Sequence, residues 1–121
     1  MSFSYEVKTE LCKSRPSGCC RFAQMYGLLL FGRSFSSNSI SILTEHTGVA
    51  EMYAYLLKRS FDVGTLTEEQ GNKRKMYKVR VSGAINRRKV INFYKTENEI
   101  NADIIKASCC KTSFLKGAFL A

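Results

Sequence analysis

Phe3, Val7 and Leu11 recur at every fourth position, which predicts a short helix over residues 2–13 with Ser4 as its N-cap and Glu6 in its first turn. The only proline, Pro16, then falls with Gly18 and two serines in a turn or linker at 14–18. From 19 to 32 apolar side chains cover nearly every face (Phe22, Ala23, Met25, Tyr26, Leu28, Leu29, Leu30, Phe31), the pattern of a helix buried on most sides. Residues 33–45 alternate Ile40, Ile42 and Thr44 against Ser39, Ser41 and Leu43. That predicts a hairpin turning near Ser37 and Asn38, with one hydroxyl-rich face. Thr47 caps a predicted helix through 59, where Val49, Met52, Tyr53, Leu56 and Leu57 form an i, i+3, i+4 stripe. A second hairpin follows, 62–68 and 75–82, around the polar connection 69–73. A helix from 84 to about 94 is expected to bury Ile85, Val90, Ile91 and Tyr94, and a polar stretch at 95–103 leads to a last apolar segment.

That last segment repeats the buried helix. Residues 19–30 (CCRFAQMYGLLL) and 109–120 (CCKTSFLKGAFL) align at a constant offset of 90 residues. Both keep paired cysteines, a basic residue, a glycine eight places after the first cysteine, and a final leucine. Glycine inside an apolar helix costs about 1 kcal/mol against alanine, so its repetition calls for a packing reason. Gly27 facing Gly117 at a close crossing about a pseudo-two-fold axis supplies one. The competing reading is two unrelated apolar helices.

A helix with a close-packing glycine, then hairpin, helix, hairpin, helix and a second copy of the first helix, resembles the LAGLIDADG homing-endonuclease fold. With the opening Met1-Ser2-Phe3-Ser4-Tyr5-Glu6-Val7-Lys8, the Cys19-Cys20-Arg21 triplet, Thr44-Glu45 and the closing Phe114-Leu115-Lys116-Gly117-Ala118-Phe119-Leu120-Ala121, the whole chain resembles the N-terminal part of the WhiA family. The fold so implied is α+β: one αββαββα repeat at 19–106, a short N-terminal helix and linker at 1–18, and the first helix of a second repeat at 107–121. In LAGLIDADG proteins the paired helices end in acidic residues that hold a divalent metal at the scissile phosphates, and the sheets form a saddle along DNA. Here Gly32 takes the acidic place, no aspartate or glutamate lies between Glu10 and Glu45, and Ala121 stands one position before the second acidic place. Magnesium needs hard oxygen ligands that glycine cannot offer. The resemblance therefore implies no catalytic residue, no cofactor and no metal, in a regulator of sporulation or cell division whose helix-turn-helix domain lies outside this chain.

Charge points to a polyanion. Nineteen lysines and arginines against ten acids give +9 over 121 residues, which favours double-stranded DNA through counterion release. No apolar run is long enough for a membrane span and no secretory signal opens the chain, so a cytoplasmic, nucleoid-associated protein is expected. In 74–82, Tyr77, Val79 and Val81 alternate with Arg74, Met76, Lys78 and Arg80, so one strand face packs on helices and the other presents cations. The expected DNA contacts are Arg33, Ser39, Ser41, Lys73, Arg74, Lys75, Lys78 and Arg80. The competing reading is a solvated edge strand whose cations block sheet-to-sheet aggregation. Arg87, Arg88 and Lys89 are expected on a solvated helix face. An acidic protein partner, a homodimer, or a swap of the last helix through the 95–103 tether are the alternative associations.

Five cysteines without a signal peptide are expected as free thiols. Zinc ligands are usually spaced C-x₂₋₄-C, and adjacent cysteines diverge from a helix, so each pair is expected near a core-helix start with one thiol buried, and without metal. His46, with no second ligand pattern around it, is expected as a cap or surface residue.

Overall fold

A computed structural model describes residues 3–71, 73–94 and 102–121. Its helices are α1 (Phe3–Leu11), α2 (Cys19–Phe31), α3 (Thr47–Phe61), α4 (Ala84–Tyr94) and α5 (Ser108–Leu120), with a 3-10 turn at Ala102–Ile105. Strands β1 (Ser34–Phe35), β2 (Ile40–Thr44), β3 (Thr65–Gln70) and β4 (Met76–Val81) form one antiparallel sheet in the order β1-β2-β4-β3. The α+β class and both hairpins follow the sequence pattern. The tether expected at 95–103 lies mostly outside the described residues.

Helix α2 is the spine. Ala23, Met25, Tyr26, Leu28 and Leu29 are buried, as its all-round apolar pattern requires. The α3 stripe, Val49, Met52, Tyr53, Leu56 and Leu57, is fully covered and meets Ile42, Val79 and Val81 from the inner sheet face. Tyr94 closes the core from α4, stacking on Tyr26 at 4.7 Å and donating its hydroxyl to the Phe22 carbonyl at 2.8 Å.

Four local expectations change. Helix α1 begins at Phe3, so Ser4 sits inside its first turn rather than capping it. The cap of α3 is His46, not Thr47: the His46 Nδ1 accepts the Val49 N–H at 3.3 Å, while its Nε2 lies 2.9 Å from the Thr9 hydroxyl. Ile85 is 80% exposed in the first turn of α4, whereas Val90 and Tyr94 are buried and Ile91 packs half-buried against the core. Arg87 and Lys89 are not merely solvated. Their side chains donate to the Ser37 and Phe61 carbonyls and tether α4 to the β1–β2 turn and to the end of α3.

Helices α2 and α5 cross at their glycines. A Cβ at Gly27 would collide with the Phe114 carbonyl oxygen and lie 2.6 Å from the Ala118 nitrogen; one at Gly117 would collide with the Gln24 carbonyl oxygen and lie 3.1 Å from the Leu28 nitrogen. Shifting 24 and 28 by the repeat offset of 90 gives 114 and 118, so the contacts map onto each other when the two helices are exchanged. The helices run parallel, their N-termini at one end of the pair, and only glycine permits the approach.

Candidate nucleic-acid interface

Strand alternation and register place the expected cations. Val79 and Val81 turn inward, while Lys78 and Arg80 stay partly exposed on the opposite face. Cross-strand pairing sets Ser34, Ser41, Arg80 and Leu66 in one row of that face, and Leu43, Lys78 and Glu68 in the next. Arg33 leaves the end of α2 just before β1, and Lys73, Arg74 and Lys75 stand exposed at the β3–β4 tip.

Acids interleave with these cations. Arg80 Nε lies 3.4 Å from Glu68 Oε1, Lys75 Nζ 3.3 Å from Glu69 Oε1, and Arg74 Nε 2.9 Å from Glu45 Oε2. All three pairs are solvent-exposed, where an ion pair contributes only about 0–1 kcal/mol, so a polyanion can displace the acids at little cost. Arg33, Lys73 and Lys78 make no ion pair among the described residues. The hydroxyls divide: Ser39 is exposed in the turn, whereas Ser41 is only 2% exposed and its Oγ is engaged with Ser34 Oγ at 2.7 Å. Ser41 therefore supports the neighbouring strand rather than facing solvent.

Gly32 occupies the end of α2 where the resemblance puts a metal-binding acid. A Cβ there would lie 2.7 Å from the Leu28 carbonyl oxygen and 3.2 Å from that of Ser41. A side chain at this place would require α2's own Leu28 carbonyl to shift and the Ser41 carbonyl of β2 to give slightly.

At the opposite end of the helix pair lies a feature that sequence reasoning missed. Cys19 and Cys20 occupy the first turn of α2, and Cys109 and Cys110 the first turn of α5. Their four Sγ atoms all lie within 4.8 Å of one another. Adjacent cysteines do diverge around one helix, but here two parallel helices each straddle the shared axis, so the divergence of one pair is closed by the other. Cys110 is buried, Cys20 half-buried, and Cys19 and Cys109 exposed. Hydrogen bonding from Ser113, then from Cys109, holds the Cys20 thiol below its ordinary range. The Cys109 and Cys110 thiols are pushed up, foremost by their hydrogen bonds to Cys20 and Cys19 respectively. The constant offset of 90 was the available signal, since it pairs the cysteines as well as the glycines.

Among the described residues no helix is long and apolar enough to cross a membrane. No family model matches the chain, and no solved structure matches it significantly. Curated relatives do. The chain is 30% identical over 134 aligned residues to a "Probable cell division protein WhiA" from Geobacillus thermodenitrificans. It is 31% identical over 135 to that of Bacillus licheniformis and 32% over 134 to that of Bacillus cereus strain B4264. Each match takes in all of this chain and 42% of the relative, so the chain spans less than half the length of these proteins. Over its whole length the chain is WhiA-like, corresponding to the N-terminal part of proteins that carry that name.

Proposed function

We propose that this chain is the DNA-binding part of a bacterial transcriptional regulator of cell division and sporulation, on a LAGLIDADG-type scaffold that no longer cleaves. The observation that carries this reading is the helix pair. Gly27 and Gly117 meet in matching contacts, which supports reading the two helices as equivalent positions of two repeats, and the end of α2 where the resemblance puts a metal-binding acid holds Gly32, which has no side chain to ligate one. A scaffold that keeps its spine and lacks its acid retains binding and loses hydrolysis. The sheet face with Arg33, Lys78 and Arg80, extended by Lys73, Arg74 and Lys75, is the surface for the phosphate backbone, and Ser39 adds a neutral donor. The relatives' names support a cell-division regulator rather than an enzyme.

The test is fluorescence anisotropy of labelled duplex DNA against salt, comparing the chain with a variant carrying Arg74→Ala, Lys78→Ala and Arg80→Ala. The salt slope should fall by about 0.9 for each phosphate that the variant no longer neutralises. An unchanged slope would remove DNA from this face.

A second reading has its own observation. The acids Glu45, Glu68 and Glu69 are set among the cations, and Leu66 is 47% exposed beside Arg80. A face of mixed charge with an apolar residue also suits a protein partner or another part of the longer regulator. Selective protein binding with weak salt dependence, and no DNA affinity, would favour it.

A further inference from the structure

We infer that Cys19, Cys20, Cys109 and Cys110 form a mononuclear tetrathiolate site for a borderline-soft divalent cation, zinc foremost, clamping the N-terminal ends of α2 and α5. The site is independent of whether the sheet face binds DNA. It also lies far from the place where a homing-endonuclease scaffold holds magnesium: Gly32 is 13 residues along from Cys19, about 20 Å at about 1.5 Å per helical residue.

Distance comes first. A zinc–thiolate bond of about 2.3 Å sets tetrahedral sulfurs about 3.8 Å apart. The four Sγ atoms lie within 4.8 Å of one another before any ion draws them in, so small side-chain rotations complete the shell. An iron–sulfur cubane spreads its four thiolates wider than this whole cluster, so one metal ion fits and a cluster does not.

Symmetry comes second. The exchange that maps Gly27 onto Gly117 also maps Cys19 onto Cys109 and Cys20 onto Cys110. A tetrahedron contains two-fold axes, and two ligands from each of two equivalent helices is the arrangement that such an axis generates.

Electrostatics at the helix ends is the third and independent observation. The caps of α2 and α5 are Gly18 and Ala107; neither helix has a side-chain cap hydrogen bond, and neither has an acid in its first turn. Two positive helix ends thus converge with neither a side-chain cap nor a first-turn acid of their own. A divalent ion with four thiolates carries a charge of −2 and lies where both helix ends favour an anion. Binding one zinc releases four protons and changes no oxidation state, so affinity falls as the pH drops. The bound ion would fasten the start of α5 to that of α2, one end of a contact whose other fixed point is the glycine crossing.

The test uses the whole chain, purified under reducing conditions, stripped of metal and titrated with cobalt(II), then zinc. The expected result is one equivalent of cobalt with the intense visible bands of tetrahedral tetrathiolate and a sulfur-to-cobalt charge-transfer band, displaced stoichiometrically by zinc. Cys12→Ser should leave the spectrum intact. Cys19→Ser, at an exposed position, should weaken and shift it and reduce affinity by more than the factor of about 10–100 that outer-shell losses cost. Because the unsubstituted chain gives the deciding spectrum, a poorly folded variant does not obscure the result. An octahedral cobalt spectrum, a spectrum and affinity that are unchanged in Cys19→Ser, an iron–sulfur chromophore in the purified chain, or cysteines that only form disulfides would each overturn the assignment.

Discussion

Replacing Gly27 by alanine sets two effects of opposite sign against each other, and the crossing geometry decides between them. Helix propensity alone makes Gly27→Ala stabilising by about 1 kcal/mol. The new Cβ, however, would lie 2.6 Å from the Ala118 nitrogen and nearer still to the Phe114 carbonyl oxygen, where contact distances run to about 3.5 Å. Relief requires α2 and α5 to separate by about 1 Å, and the obstructing atoms are backbone, which cannot change rotamer. Overpacking costs about 1–3 kcal/mol, and a backbone obstacle places this case at the upper end. The net expectation is a loss of about 2 kcal/mol, read as a fall in melting temperature of about 6–10 °C for a chain of this size. Gly117→Ala should behave alike, since its Cβ meets Gln24 and Leu28 in the equivalent way. The double variant should lose less than the sum, because helices parted once have already made room. Urea unfolding followed by circular dichroism measures all three, with Lys116→Ala on the exposed side of α5 as a control expected within about 0.5 kcal/mol. Unchanged stability, or the gain of about 1 kcal/mol that propensity predicts, would refute the close crossing and with it the equivalence of the two helices.

His46 gives a pH-dependent prediction, clean because it is the only histidine. Burial foremost, then the charge of Lys8, lowers its pKa. The unfolded chain therefore takes up a proton below about 6.5 that the folded chain resists, so stability is complete above that pH and declines as pH falls through it. His46→Ala should cost about 1 kcal/mol through loss of the α3 cap and abolish the decline between pH 7.5 and 5.5; a pH dependence that survives the substitution would assign it elsewhere. Gly32→Asp should not create a nuclease: with Leu28 and Ser41 carbonyls at the Cβ position, it should destabilise by at least about 1 kcal/mol and leave supercoiled plasmid intact in magnesium. Nicking that depends on both magnesium and the new carboxylate would contradict this.

Elements with one strong period were legible in the sequence. The α3 stripe and the inward Val79 and Val81 needed only spacing, and the glycine crossing needed only self-similarity. What escaped depends on which chain segments meet. Ile85 looks like a core residue but lies in the exposed first turn of α4, and Ser41 looks available until Ser34 is seen beside it. The acids among the cations follow from the register that sets Glu68 opposite Lys78, which no single strand reveals. The cysteines show the same limit more sharply. Each pair alone argues against a metal site, and only the crossing of α2 with α5 turns two poor half-sites into one cluster.

The two ends of the helix pair therefore differ in kind. At the C-terminal end of α2, Gly32 offers no carboxylate, and a side chain there would crowd α2's own Leu28 carbonyl and press on the Ser41 carbonyl of β2. At the N-terminal end, two helices with neither a side-chain cap nor a first-turn acid bring four thiols together. Between these ends the glycine crossing leaves little freedom to slide, because Gly27 and Gly117 are each held between two residues of the partner helix. Rigid placement of α2 and α5 fixes the start of β1 and hence the position of Arg33 relative to Lys78 and Arg80 across the sheet. Phosphates repeat at fixed spacing along a duplex, so a surface that contacts the backbone depends on the separations of its cations as well as on their number. Under the proposed function the helix pair would contribute to DNA binding without touching DNA, and the expected outcome is that loosening its crossing with Gly27→Ala weakens affinity for duplex DNA even where every surface cation remains.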